Sequence, residues 1–352
     1  MKNTNQVIDN FFADISNSIR KNRIIFSVAL LTVVAFIPAL GLPSYILRIG
    51  VMIMIYAILA LGLNIPTGYT GQVSIGHAGF FSIGAYTSAI LVTQAGWSML
   101  PAMVAAAAIA GIFGFLLGLP TLRVSGTYLS ICTLGFAEIV RMAVLNWDTL
   151  TNGPMGIKNI PYPTVFGVEM TLRNYGAYYM ILVMLVMTSV FVHLIINSKI
   201  GRAFRSIKED ELASMMMGVF TMKYKILSFV LSAIISGMAG AFYAHFMRYI
   251  DPNSFTFDTS ILILSIVILG GMGTMRGMFL GAIILVSFPE ALRFLEQYRF
   301  VFYGLVLVIM MRYRPQGLLG WRSKSPYEFP KGVDPDKIAR GFNNSSSQNK
   351  MI

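Results

Sequence analysis

Charged residues are scarce in this chain. Only 12% of its 352 residues are Asp, Glu, Lys or Arg, while 56% are hydrophobic. Soluble domains carry about 25% charged and roughly 45 to 50% apolar residues, so this composition excludes an ordinary soluble domain. Apolar runs near the roughly 20 residues that a helix needs to cross a bilayer recur along the chain. We therefore predict an all-α, polytopic membrane protein.

Cysteine and the usual catalytic motifs are also missing. The one cysteine, Cys132, has no disulfide partner, and its apolar surroundings predict that it is buried. The sequence contains no HExxH motif, no GxxxxGK[ST] phosphate loop and no Ser/His/Asp arrangement. We expect no catalytic residue, no metal site and no cofactor bound by this chain.

Positive charge is present in excess, with a formal net charge of +12. It lies in the N-terminal segment, a central loop and the C-terminal tail rather than along one soluble face, which favours positive-inside topology over nucleic-acid binding. Arg20, Lys21 and Arg23 precede the first apolar run, which has no cleavage pattern after it. We predict an uncleaved first helix, with both termini cytoplasmic.

The apolar runs divide the chain into three parts. We expect residues 1–23 to be a cytoplasmic segment, 24–320 a transmembrane domain and 321–352 a polar cytoplasmic tail. Residues 147–174 are expected to face outward as a turn-rich loop, either a cap that receives a soluble partner or a plain connector. Ten spans are predicted, of which the third and the eighth are candidates for broken or re-entrant segments: 24–42, 46–65, 73–93, 98–119, 126–146, 175–196, 226–247, 258–272, 277–293 and 300–313.

The stretch between Ile195 and Tyr224 is the polar exception in the middle of the chain. Its charges precede a run with helical propensity that ends at Gly218, as a helix closed by a glycine cap would. A solvated connector needs no such compact helix, so we interpret segment 197–225 as a cytoplasmic docking surface, with simple solvation as the alternative. The run Met215–Met217 suits either an adaptable contact surface or packing. The docking residues are predicted to be Gly201, Arg202, Arg205, Lys208, Glu209, Asp210, Glu211 and Gly218.

Two glycine-dense stretches, 68–79 and 270–277, interrupt apolar segments in the two halves of the chain. Paired interrupted segments indicate an internally repeated transporter with its path at the repeat interface, although close helix packing explains the glycines equally well. Polar side chains are costly in lipid and should face the bundle interior or water. Those near the first stretch are candidates to line a path: Asn64, Gln72, Ser74 and His77.

His77 and two further polar residues have two interpretations each. His77 alone is more often a structural histidine than a solute ligand. Glu138 and Arg141 lie three residues apart, on one face of the predicted fifth span, and so can neutralise each other. The pair is either structural or close to the solute path.

Several segments together resemble the membrane-spanning permease subunits of branched-chain amino-acid ABC importers, of the LivM type. The resemblance covers roughly Leu61 to Gly320. It depends on the order and spacing of six segments: LGLNIPTGYTGQVSIGHAGFFSIGAY, RVSGTYLSICTLGFAEIVR, TNGPMGI, SKIGRAFRSIKEDELASMMMG, SFTFDTSILILSIVILGGMGTMRGMFLGA and YRPQGLLGW.

The resemblance implies a helical permease in a bacterial cytoplasmic (inner) membrane. With a second, homologous permease it would form a path for branched-chain or related amino acids. Two cytoplasmic ATPase subunits would use ATP and Mg, and a periplasmic binding protein would deliver the solute. The segment from Gly201 to Gly218 is similar to the coupling loop of such permeases. Their pattern is Glu-Ala-Ala, three residues, then Gly, whereas here Leu212 replaces the first alanine and Gly218 comes one position late. An ion-coupled transporter and a membrane scaffold remain alternatives.

Overall fold

A computed structural model describes residues 38, 43–120, 126–165, 168–291, 304, 308, 312 and 317–319. The predicted N-terminal segment and tail lie outside the described residues. So do the spans 24–42 and 300–313, apart from isolated positions.

Helices dominate the described part of the chain, and their bounds follow the apolar runs of the sequence. One short antiparallel hairpin, with two residues in each strand, lies in the loop at residues 147–175. Thr164 in its first strand lies opposite Glu169 in its second. Its strands are β1 (Thr164–Val165) and β2 (Val168–Glu169). The helices are α1 (Ser44–Asn64), α2 (His77–Thr93), α3 (Met99–Gly118), α4 (Thr127–Asn146), α5 (Asp148–Thr151), α6 (Gly176–Asn197), α7 (Lys199–Glu209), α8 (Glu211–Met216), α9 (Thr221–Met247), α10 (Phe257–Gly270) and α11 (Met275–Ala291).

Six helical segments in the described residues are long and apolar enough to cross a membrane. They contain α1, α3, α4, α6, α9 and α10. This confirms a multi-pass helical protein, whereas the count of ten spans stays a prediction. The predicted third span is wrong at its start, because residues 71–76 form no helix and α2 begins only at His77.

Close helix crossings build the core around α9, which packs against both α2 and α3. A Cβ added at Gly84 in α2 would collide with the backbone of Gly237 in α9. In the same way, one added at Gly240 would meet the carbonyl oxygen of Phe81. Glycine thus lets these backbones approach closely, as small residues do in membrane bundles.

The bundle that these helices form has a loop end and a hairpin end. At the loop end, which carries residues 147–175, Arg48 at the start of α1 donates a hydrogen bond to the sulfur of Met247 at the end of α9. At the hairpin end, which carries α7 and α8, Lys208 contacts the turn that follows α1. Helix α1 therefore runs from the loop end to the hairpin end.

The expectation that Cys132 is buried is wrong, because it lies exposed on the outer face of α4. Lipid tails are as apolar as leucine, so an apolar sequence position in a membrane helix does not show whether it faces the core.

Candidate functional site

The first glycine-rich stretch breaks α1 in an unusual way. Helix α1 widens into a π-helical turn, Ile65–Tyr69, in which Pro66 lacks the N–H that a regular helix would need. Side-chain hydroxyls satisfy the backbone around it. Thr70 donates to the carbonyl of Ile65 at 3.1 Å, and Thr67 to that of Gln72 at 3.2 Å. These two bonds satisfy backbone carbonyls where the chain leaves the helix inside an apolar bundle.

The two predicted glycine-rich breaks meet in space. The Asn64 side chain accepts a hydrogen bond from the backbone N–H of Gly273 at 2.8 Å and donates one to the carbonyl of Thr274 at 3.3 Å. Gly68 lies so close that an added Cβ would overlap both Asn64 and the Gly273 backbone. The end of α1 and the break between α10 and α11 therefore form one joint, defined by Asn64, Gly68, Gly273 and Thr274.

Lys208 connects the predicted docking segment to this joint. Its ammonium donates a hydrogen bond of 2.7 Å to the carbonyl oxygen of Gly68. Partial burial lowers the pKa of Lys208, and the neighbouring Glu209 carboxylate opposes that effect. The contact joins residues 140 positions apart in sequence.

The docking segment folds as a short helical hairpin, α7–α8, that is held to the bundle. Phe204 and Ile207 bury one face of α7, and Ser206 and Ser214 share a hydrogen bond of 2.5 Å. Their contacts make the hairpin a compact unit rather than a loose connector.

Charged and capping residues also fix α8. The Asp210 carboxylate accepts a hydrogen bond from the backbone N–H of Ala213 at 2.9 Å, as an N-cap does. Glu211 forms an ion pair with Lys225 at the start of α9. Gly218 has φ +81°, and the N–H groups of Gly218 and Val219 donate back to α8, which is the Schellman ending. The predicted glycine-capped helix is confirmed.

The remaining predicted docking residues lie at the surface or at the helix junction. Gly201 is buried against the backbone of Ile196, where α6 turns into α7. Arg202 and Glu209 are exposed, and Arg205 is exposed with a long contact of 3.5 Å to the Ile196 carbonyl.

Large apolar side chains on the hairpin end are exposed, which charge patterning alone did not reveal. Met216 and Met217 are each 84% exposed, Phe220 78% and Leu212 70%. On a surface that meets water, several large exposed apolar side chains in one short segment indicate contact with another molecule. We call these four residues the apolar patch; the methionine run was the one sequence signal for it.

The predicted path residues near the first break are buried and hydrogen-bonded. His77 contacts Ser74 at 3.3 Å and Ser232 at 2.5 Å. Gln72 accepts a hydrogen bond from Ser228 at 3.2 Å. This arrangement places a polar seam between segment 71–77 and α9, and its role in a path stays a prediction.

Glu138 and Arg141 form the ion pair that their spacing predicts, at 2.5 Å. Both side chains are partly exposed on α4, on its outer side rather than at the joint. Among the described residues, no direct hydrogen bond links Glu138 or Arg141 to His77 or Asn64.

The loop end carries an open basin of about 420 Å³. Three arginines line it: Arg48, Arg173 and Arg248. Arg248 lies 4.3 Å from the centre of the Tyr162 ring and donates to the carbonyl of Ile160. The basin therefore presents positive charge at the loop end of the bundle.

Comparison with known proteins gives consistent matches. The family described as "Branched-chain amino acid transport system / permease component" matches residues 45–311. The chain is 40% identical over 298 residues to the high-affinity branched-chain amino acid transport system permease protein LivM of Salmonella typhimurium, covering 77% of this chain and 69% of the relative. The Escherichia coli protein of the same name is 39% identical over 326 residues, or 84% and 74% of the two chains.

A more distant relative belongs to the same transport systems by name. The Escherichia coli permease protein LivH is 25% identical over 289 residues, covering 75% of this chain and 91% of the relative. No solved structure was found to match the chain.

Proposed function

Because the chain belongs to the branched-chain amino acid transport permease family, we propose that it is the membrane-spanning subunit of an ATP-driven importer. With a second, related permease it forms the path for branched-chain amino acids, which a periplasmic binding protein delivers. Two cytoplasmic ATPase subunits supply the work, and this chain binds no nucleotide itself. Its similarity to both LivM and LivH permeases supports a path built from two related chains.

The α7–α8 hairpin is the observation that carries the proposal. It presents exposed methionine, leucine and phenylalanine side chains outward, while its other face is buried against the bundle. An ATPase can shift the equilibrium between two conformations of the permease only by the difference in its binding free energy for the two. A compact hairpin that is capped and ion-paired is stiff enough to pass a movement of the ATPase on to the helices. We therefore place the ATPase contact at the apolar patch and at the surrounding charges. This end is then the cytoplasmic one.

The loop end then faces the periplasm and receives the binding protein. Its basin, with Arg48, Arg173 and Arg248, provides the charge that acidic groups on an approaching partner would recognise. The solute specificity rests with the binding protein and with the path that the two permeases share.

The proposal predicts that reversing the charge of Arg205 or Glu209 lowers ATP-driven uptake. Both side chains are exposed on the hairpin, and like charges across a protein interface are repulsive. We expect at least a threefold loss of leucine uptake in proteoliposomes that contain the intact complex, since such pairs contribute about 1 kcal/mol.

A matched control is Lys158→Glu, which reverses an exposed charge at the loop end. It should leave the yield of ATPase subunits co-purified with the chain unchanged. Normal ATP hydrolysis and uptake in both Arg205→Glu and Glu209→Lys would contradict the coupling role. An uncoupler that stops uptake despite supplied ATP would indicate ion coupling instead.

A further inference from the structure

Three segments that are far apart in sequence converge at the hairpin end. Helix α7 contributes Lys208, the π-helical turn contributes the Gly68 carbonyl, and the break between α10 and α11 contributes Gly273. Asn64 ties the second to the third through its hydrogen bond with the Gly273 N–H. Lys208 therefore joins the hairpin directly to the first glycine-rich break, and Asn64 links that break to the second.

The position of the lysine suits a charge-assisted bond. The last carbonyls of a helix lack partners within the helix and carry the negative end of its dipole, which attracts cations. Gly68 lies at this end of α1, and the stem of Lys208 lies against Gly71. The ammonium thus satisfies a carbonyl where the chain leaves its helix inside the protein.

The bond is weak enough to break during a transport cycle. A hydrogen bond to a charged group biases an equilibrium by about tenfold to a hundredfold. The buried side chains of Phe204 and Ile207 hold α7 to the bundle, and the Glu211–Lys225 ion pair holds α8. The hairpin therefore stays folded and attached when the Lys208 bond breaks.

We infer that Lys208 is a releasable latch: bonded to Gly68, it holds the hairpin against the joint and keeps the hairpin end of the path closed. Movement of the hairpin by the ATPase subunits withdraws the ammonium, and the joint opens. This inference rests on the proposed function, because the latch needs an ATPase to release it. It gives Lys208 a positioning role on the backbone of the path rather than a direct contact with solute.

Lys208→Met removes the ammonium and keeps the length of the side chain. We expect hydrolysis of ATP without binding protein to rise about tenfold in the intact, reconstituted complex, because the closed arrangement loses its tenfold to hundredfold bias. Leucine uptake per ATP hydrolysed should fall. Lys158→Met is the control, since Lys158 is an exposed lysine at the loop end, away from the hairpin, and ATP hydrolysis without binding protein should stay as in the unaltered chain.

A reversible cross-link tests the movement itself. A Cβ added at Gly71 would lie 3.7 Å from the Cβ of Lys208, within the roughly 3.5 to 4.5 Å of disulfides. The double variant Gly71→Cys/Lys208→Cys is made in a Cys132→Ser background, which removes the one native cysteine. Oxidation should reduce uptake to below about a tenth of the reduced form's value, and dithiothreitol should restore it.

The outcomes separate the latch from the proposed function. Unchanged uptake after verified cross-linking would overturn the latch, because the contact then need not open. So would an equal fall of ATP hydrolysis and uptake in Lys208→Met, since that indicates a merely structural role. If the unaltered complex itself shows no ATP-dependent uptake, the proposed function fails first.

Discussion

Serine in place of Met216, Met217 and Phe220 is expected to abolish ATP-driven uptake. These side chains are 78 to 84% exposed, and the full burial of a methionine or phenylalanine contributes about 1.5 to 3 kcal/mol. Three such losses together are large compared with the binding free energy of an ordinary protein interface. We therefore expect the ATPase subunits to dissociate during purification. The measurement is the amount of ATPase that co-purifies with the chain, followed by leucine uptake in proteoliposomes.

Met155→Ser is the control for this triple variant. Met155 is 64% exposed, but it lies at the loop end, so its replacement should leave ATPase recovery unchanged. Full recovery of the ATPase subunits with the triple variant would show that the apolar patch is not their contact. Because the substituted side chains are at the surface, the fold should survive, and the thermal unfolding of the variant in detergent checks this.

The same substitution, glycine to alanine, is expected to act in opposite directions at two helix positions. At Gly84 the added methyl would meet three backbone atoms of Gly237, and backbone cannot yield as a flexible side chain does. Overpacking of this kind costs about 1 to 3 kcal/mol. At Gly135 in α4 nothing lies within 4 Å of the new Cβ. There alanine should be neutral or stabilise the helix by about 0.5 to 1 kcal/mol.

Thermal unfolding of both variants in detergent measures the difference. We expect a Tm clearly below that of the unaltered chain for Gly84→Ala, together with a lower yield of membrane-inserted protein. The Tm of Gly135→Ala should be equal or higher. Equal loss at both sites would contradict the close crossing of α2 and α9 as the basis of the core.

The sequence predicted most of the helices because their boundaries are local. The expected spans 98–119, 126–146 and 175–196 agree with Met99–Gly118, Thr127–Asn146 and Gly176–Asn197 to within one residue at each end. Charges, glycines and prolines mark where each apolar run stops, and that information lies within a few residues of the boundary. The glycine cap at Gly218 was predictable for the same reason.

Contacts between distant segments were not predictable from one sequence. Nothing near Lys208 indicates that its ammonium meets Gly68, 140 positions away, and nothing near Asn64 indicates its bonds to the second break. The prediction for Cys132 was wrong because apolar positions that face lipid and those that face the core look alike in composition. The apolar patch was missed in part because Leu212 and Phe220 are ordinary residues until the structure shows them exposed.

Chemical labelling of the hairpin shows on which side of the membrane it lies and whether the ATPase subunits cover it. Met217→Cys in the Cys132→Ser background gives the chain one cysteine, at a side chain that is 84% exposed. A membrane-impermeant maleimide is applied to intact spheroplasts and to inside-out vesicles, made with and without the ATPase subunits. The account predicts labelling in inside-out vesicles alone, and protection there when the ATPase subunits are bound. Labelling from outside the cell, or equal labelling with and without the ATPase subunits, would contradict it.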